Sequence, residues 1–193
     1  MKKSILYLLM SALMLIGLSC GSNDGRDDST EIAEEQNEET FEKNKVEEDA
    51  EFAVEAADGS MLEVELGTMA LTRATSPEVK QFAQKIVDEH TRSNNELKAL
   101  AQKKNITLPT TMGDDHMRKY ENLQEKTGPD FDKEYMDLMV KDHKEDIREF
   151  EEQAEDGSDL EIREWASSKL PTLRNHLEEA ERVHETVKEK DRG

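Results

Sequence analysis

The chain has 193 residues, with 26 basic against 46 acidic side chains and a formal net charge of −20. Apolar residues make up 34% and aromatics 5%, which fits one domain with a small helical core, or one accompanied by an unstructured part. The acidic excess argues against a nucleic-acid reader, since phosphate binding needs clustered Lys and Arg. The single Cys excludes an internal disulfide and a Cys-based zinc site, and nine Gly and four Pro are too few for a turn-dense β-sandwich.

Residues 1–19 read as a signal peptide: Lys2 and Lys3, an apolar run from Ile5 to Leu18, then Ser19. The run is too short to span a bilayer, which needs about 20 apolar residues. Cys20 at its end resembles the lipidation site of a bacterial lipoprotein, although Gly17 stands where such signals usually carry Leu. By resemblance to bacterial sorting patterns, Gly21 after the Cys, in place of an Asp, implies the outer membrane; the alternative is ordinary cleavage and a periplasmic or secreted protein. Residues 20–49 follow as an acidic stretch. Between 21 and 50 there are twelve Asp or Glu, three Lys or Arg and five apolar residues. So little apolar surface predicts a disordered tether whose loss leaves the rest of the fold unchanged.

From residue 50 to about 190 the apolar positions recur at helical spacing. The first long helix is expected from Asp49 to Ala74, with Asp58-Gly59 as a point of bending. The second follows Ser76-Pro77-Glu78, a cap and an N1 proline, and ends at Lys104 before Asn105 and Pro109. A short helix is expected from Asp114 to Lys126. The third long helix runs from Pro129 to Gly157. The fourth begins near Ser158 and carries Leu160, Trp165, Leu170, Leu173, Leu177, Ala180 and Val183, with a kink at Pro171. No window alternates at period two. The fold class is all-α, a ferritin-like four-helix bundle with a short extra helix in the crossover between the second and third long helices.

His90, His143 and His176 each lie on the apolar stripe of a different long helix, and His116 lies on the short one. Residues three and four apart share a helix face, so Asp146 belongs with His143 and Glu179 with His176. The adjacent acids Glu89, Asp115 and Asp142 point about 100° away and are expected to be poor partners. The first helix offers Glu63 and Glu65. Two readings of these imidazoles are open. One is a site for zinc, copper, iron or manganese built from His and carboxylate donors. The other is a set of neutral rings satisfied by Asn94, a Glu or a backbone carbonyl. His184 reads as a surface residue, and Met61, Met69, Met136 and Met139 as core filler. No nucleophile motif, phosphate loop or His-Glu-x-x-His occurs.

Ordered blocks carry a resemblance. They include Glu63-Val64-Glu65-Leu66-Gly67, Val87-Asp88-Glu89-His90-Thr91, Ile106-Thr107-Leu108-Pro109, Asp142-His143, and Leu170-Pro171-Thr172-Leu173-Arg174 with His176-Leu177. These resemble the bacterial family of the domain of unknown function 4142, described as predicted outer membrane proteins with a ferritin-like bundle. The resemblance covers residues 50–187 and implies family positions for His90, His116, His143 and His176; it implies no assigned activity. The expected protein is an envelope lipoprotein, held to the membrane by lipid, non-enzymatic, metal-binding or stress-related. The alternatives are a metal-dependent oxidoreductase and a pure interaction module with an unidentified protein partner.

Overall fold

The computed structural model describes residues 28–41 and 45–191. The expected signal peptide and Cys20 lie outside the described residues. Within them the regular structure is all helical: α1 Ser29–Phe41, α2 Lys45–Arg73, α3 Pro77–Lys104, α4 Asp114–Gln124, α5 Gly128–Asp156 and α6 Leu160–Asp191. No described helix is long and apolar enough to cross a membrane.

Helices α2, α3, α5 and α6 form the bundle, with α2 packed on α3, α5 on α6, and the two pairs joined through α2–α5 and α3–α6. Two carboxylates fix how the pairs meet. Asp132, in the first turns of α5, accepts the Thr75 and Ser76 amides at 2.9 and 2.8 Å and the Thr75 hydroxyl at 2.5 Å. It thus caps α3 in place of Ser76, whose own side chain makes no cap bond and donates instead to Glu78. At the opposite end Asp49 of α2 accepts from the Gln153 side chain and from the Ser158 and Asp159 amides at 2.6, 2.9 and 2.6 Å. The start of α5 therefore lies beside the start of α3, and its end beside the start of α2. Helices α3 and α5 run parallel on the diagonal, and residues 105–127 carry the chain back along the bundle, as the crossover required.

Gly67 sets the approach of α2 to α3: a Cβ there would lie 2.8 Å from Val87 Cγ2 and 3.3 Å from the Ala83 carbonyl. Helix α2 runs unbroken through Asp58-Gly59, and α6 through Pro171, whose side faces solvent. Leu160, expected on the apolar stripe, is exposed.

The tether expectation fails over Ser29–Phe41. This segment forms a helix that packs on α2. Ala33 and Asn37 are buried. The Asn37 amide donates to the Thr107 carbonyl at 2.9 Å and accepts the Thr107 N–H at 2.8 Å. Asp28 accepts the Asp114 amide at 2.8 Å, at the start of α4. Docking here uses backbone groups of the crossover rather than an apolar stripe, so composition concealed it.

The core is in two parts. One gathers Leu66, Phe82, Phe131, Tyr135, Met139 and Val183; the other gathers Phe52, Leu97, Phe150, Ile162 and Leu173. A layer of buried polar side chains lies between them.

Candidate metal centre

That layer takes one residue from the middle of each bundle helix: Glu63 from α2, His90 from α3, His143 from α5 and His176 from α6. All four are nearly inaccessible, with His143 and His176 at 0% exposure. Their positions follow from the sequence pattern, since each sits where the apolar stripe of its helix crosses the bundle axis. The three rings lie 5.3–5.6 Å apart between centroids. One donor nitrogen from each falls within 4.8 Å of the others, and Glu63, His143 and Asp146 form a second group meeting the same limit.

Glu63 faces two of the rings. Its Oε2 is 2.7 Å from His90 Nδ1 and its Oε1 is 3.1 Å from His143 Nδ1. His90 Nδ1 also lies 3.3 Å from Ser60 Oγ. His90 Nε2 meets His176 Nδ1 at 3.3 Å, and His176 Nε2 meets Glu89 Oε2 at 2.9 Å. His143 Nδ1 donates to the Met139 carbonyl at 2.9 Å. Its proton is therefore on Nδ1, and Nε2 is a bare, buried lone pair with no hydrogen-bond partner among the described residues.

Counting protons shows what this arrangement lacks. The path Glu63–His90–His176–Glu89 contains three hydrogen bonds, but two neutral imidazoles carry only two N–H groups. A third proton, or a cation in its place, is needed to complete it. Burial opposes the charge on Glu63, yet the facing His90 and His143 rings and the hydrogen bond from His90 outweigh it and hold the carboxyl at about 2. Burial lowers His143, with Glu63 pulling the other way. Burial, reinforced by His90 and His143, takes His176 down to about 3. Both rings are thus neutral at neutral pH and carry lone pairs. Imidazole nitrogen with one carboxylate is a donor set suited to Cu(II), Zn(II), Fe(II) or Ni(II), and the orphaned His143 Nε2 fits a cation that would accept it.

Two openings reach this layer. On the α2–α5 side a cavity of about 570 Å³ is bounded by α1, α2, α4 and α5; carboxylates of all four line it, against Arg118, Lys119 and His116. Burial, followed by neighbouring carboxylates, raises Glu34, Glu55 and Asp146 from their ordinary values, Asp146 well above its own. On the α3–α6 side a smaller cavity of about 130 Å³ touches His90, His176 and Glu89.

The remaining expected residues fall elsewhere. Glu65 is exposed on α2, one residue off the inward face. His116 pairs with Asp58 at 2.7 Å beside the acidic cavity, away from the three rings. Glu179 pairs with Lys85 at 2.8 Å near the surface. Two expectations are corrected. Glu89 is a direct partner of His176, because a side chain turned 100° from the α3 stripe faces α6 rather than solvent. His184 is buried against Asp137 at 2.6 Å. Ser60 was not foreseen; its place one turn before Glu63 was the available signal.

The family described as domain of unknown function (DUF4142) matches residues 34–183. Among solved structures, "CopM in the Cu(II)-bound form" is similar in fold, with a TM-score of 0.61 at 17% identity over 72% of this chain and 96% of that one. No curated protein matches.

Proposed function

The chain belongs to the DUF4142 family, and from that premise we propose that it is a non-enzymatic binder of a divalent transition metal. His90, His143 and His176 supply imidazole donors and Glu63 the balancing carboxylate. The observation that carries this reading is the buried Nε2 of His143, unpartnered among the described residues, beside two other rings and the Glu63 carboxylate. A purely structural layer would be expected to satisfy that atom. Copper(II) is the first metal to test: it stands highest in the divalent affinity order for nitrogen sites, and a bundle of similar fold was solved with Cu(II). Bound there, the metal would replace the missing proton of the hydrogen-bonded path; the protein holds it, orients the rings and excludes bulk water.

The test is a thermal melt at neutral pH with and without copper, zinc, iron or manganese, on the parent and on His143→Ala. A cation at 100 times its Kd adds about 2.7 kcal/mol to the native state, so the parent midpoint should rise, most with copper, and the variant should respond far less. Equal parent midpoints with every metal reject the reading.

The small cavity beside His90 and His176 favours a second reading, a metal-dependent oxidoreductase, because it gives a small molecule room next to the donors. Turnover of peroxide or dioxygen by the loaded protein separates the two.

We place the protein in the cell envelope as a lipoprotein anchored through Cys20, on the strength of the leader-like segment alone. Mass spectrometry of the native N-terminus tests this; an unmodified mature N-terminus overturns it.

A further inference from the structure

The second donor group, Glu63, His143 and Asp146, differs from the three-imidazole group in where it faces. Glu63 and Asp146 both line the acidic cavity. Asp146 makes no hydrogen bond or ion pair among the described residues, and Glu63 Oε1, Asp142 Oδ2 and His143 Nε2 are all buried without hydrogen-bond partners. Three open acceptors, Asp146, Asp142 Oδ2 and His143 Nε2, thus gather where the cavity meets the core, beside Glu63 Oε1, which faces the His143 Nδ1 edge at 3.1 Å. Lys119, which lines the same cavity, is committed to Asp142 at 3.0 Å.

We infer that Glu63, His143 and Asp146 form a staging position for an incoming divalent cation, which then passes to the three imidazoles. This rests on the proposed function. The two positions exclude each other. His143 has one free lone pair, because its Nδ1 proton is held by the Met139 carbonyl, and both groups draw on that ring. His143 is therefore the pivot: the cation keeps it as a ligand while exchanging Asp146 for His90 and His176. The chemistry gives the direction. The outer position offers one nitrogen and two carboxylates, a hard and readily exchanged set. The inner one offers three nitrogens, which Cu(II) prefers. The acids around the cavity concentrate cations at its mouth, an effect that raises association rates by 10-fold to 1,000-fold in clefts of one charge sign.

The experiment is rapid mixing of the metal-free chain with Cu(II), followed by visible absorption, in the parent, Asp146→Asn, Glu145→Gln and His176→Ala. Circular dichroism checks that each is folded. Asp146→Asn removes a carboxylate that its neighbours repel, so folding should survive; Asp146→Ser repeats the test without an amide that could itself ligate. The parent should pass through an oxygen-rich spectrum to a nitrogen-rich one. Asp146→Asn and Asp146→Ser should lose the first spectrum and load about tenfold more slowly, reaching the parent's final spectrum. His176→Ala should stop at the first spectrum. Glu145→Gln removes an acid of the same cavity that belongs to neither group, and should keep the first spectrum and slow loading far less than the Asp146 variants do. Loading of both Asp146 variants at the parent's rate overturns the staging position, as does equal slowing by Glu145→Gln, which would mean that the field alone acts. Either result leaves the proposed function standing. Failure of the parent to take up Cu(II) overturns both.

Discussion

His143 illustrates how one side chain is constrained from several directions. Its Nδ1 proton is fixed by the carbonyl four residues back, its ring packs edge-on against His90 and His176, and Glu63 faces it. In metal-free protein His143→Ala should cost about 1–3 kcal/mol, because it opens a cavity and removes a partner of a buried carboxylate; urea unfolding measures it, and an unchanged midpoint contradicts the geometry. The rings also predict a pH response. His143 and His176 titrate lower in the folded state than in the unfolded one. As pH falls below about 6.5, the ordinary His value, the unfolded chain takes up protons first and stability declines, until His176 itself titrates at about 3. Glu63 adds a further loss as pH falls from its ordinary 4.5 to about 2. The raised carboxylates Asp146, Asp142 and Glu55 act in the opposite sense, gaining stability as they protonate. The ring contribution is therefore the difference between the metal-free parent and His176→Asn: between pH 6.5 and 4 the parent should lose stability more steeply. Parallel curves would show that the rings titrate alike in both states.

Helices are held to one another by a few carboxylates and amides that reach from one element to the backbone of another. Asp132→Ala leaves the Thr75 and Ser76 amides at the start of α3 without their acceptor, and loss of a helix cap typically costs about 0.5–2 kcal/mol; denaturant unfolding against the parent checks it. Deleting residues 28–41 removes the Asn37–Thr107 pair and the Asp28 contact to α4, so the melting midpoint should fall by more than a few degrees. An unchanged midpoint would mean that α1 does not dock in solution. The long helices were legible because a 3.6-residue apolar stripe marks each, and α3 and α5 add boundary signals: Asn105 with φ 59° after α3, Pro129 at the start of α5 and Gly157 at its end. Helix α1 was not, since it buries only Ala33 and Asn37 fully, with Phe41 partly packed on the core, and polar contacts to a distant loop leave no periodic trace. The three inward imidazoles were legible from their places on apolar stripes. Glu89 was not, because its partner stands on a different helix and its position depends on how α3 and α6 face each other.

Across the whole molecule the net charge is −20, and carboxylates of α1, α2, α4 and α5 crowd around one cavity. Mutual repulsion there weakens the folded state at low ionic strength, and the Debye length shrinks from about 30 Å at 0.01 M to about 8 Å at 0.15 M salt. Raising salt across that range should therefore raise the melting midpoint of the metal-free protein; a midpoint that falls would show that favourable ion pairs such as Lys85–Glu179 and Lys119–Asp142 dominate. The polar layer between the two apolar halves has one further effect. Two uniformly greasy halves would tolerate helices slipping past one another by a turn, about 5.4 Å, with similar burial. Here any such slip carries an ionised carboxylate or an imidazole into hydrocarbon and leaves its former neighbours facing a hole. The Glu63, His90, His143 and His176 plane works as a vernier mark: four scratches that coincide in one alignment of the helices and in no other, so the fold has a single reading along its axis whether or not a cation is present.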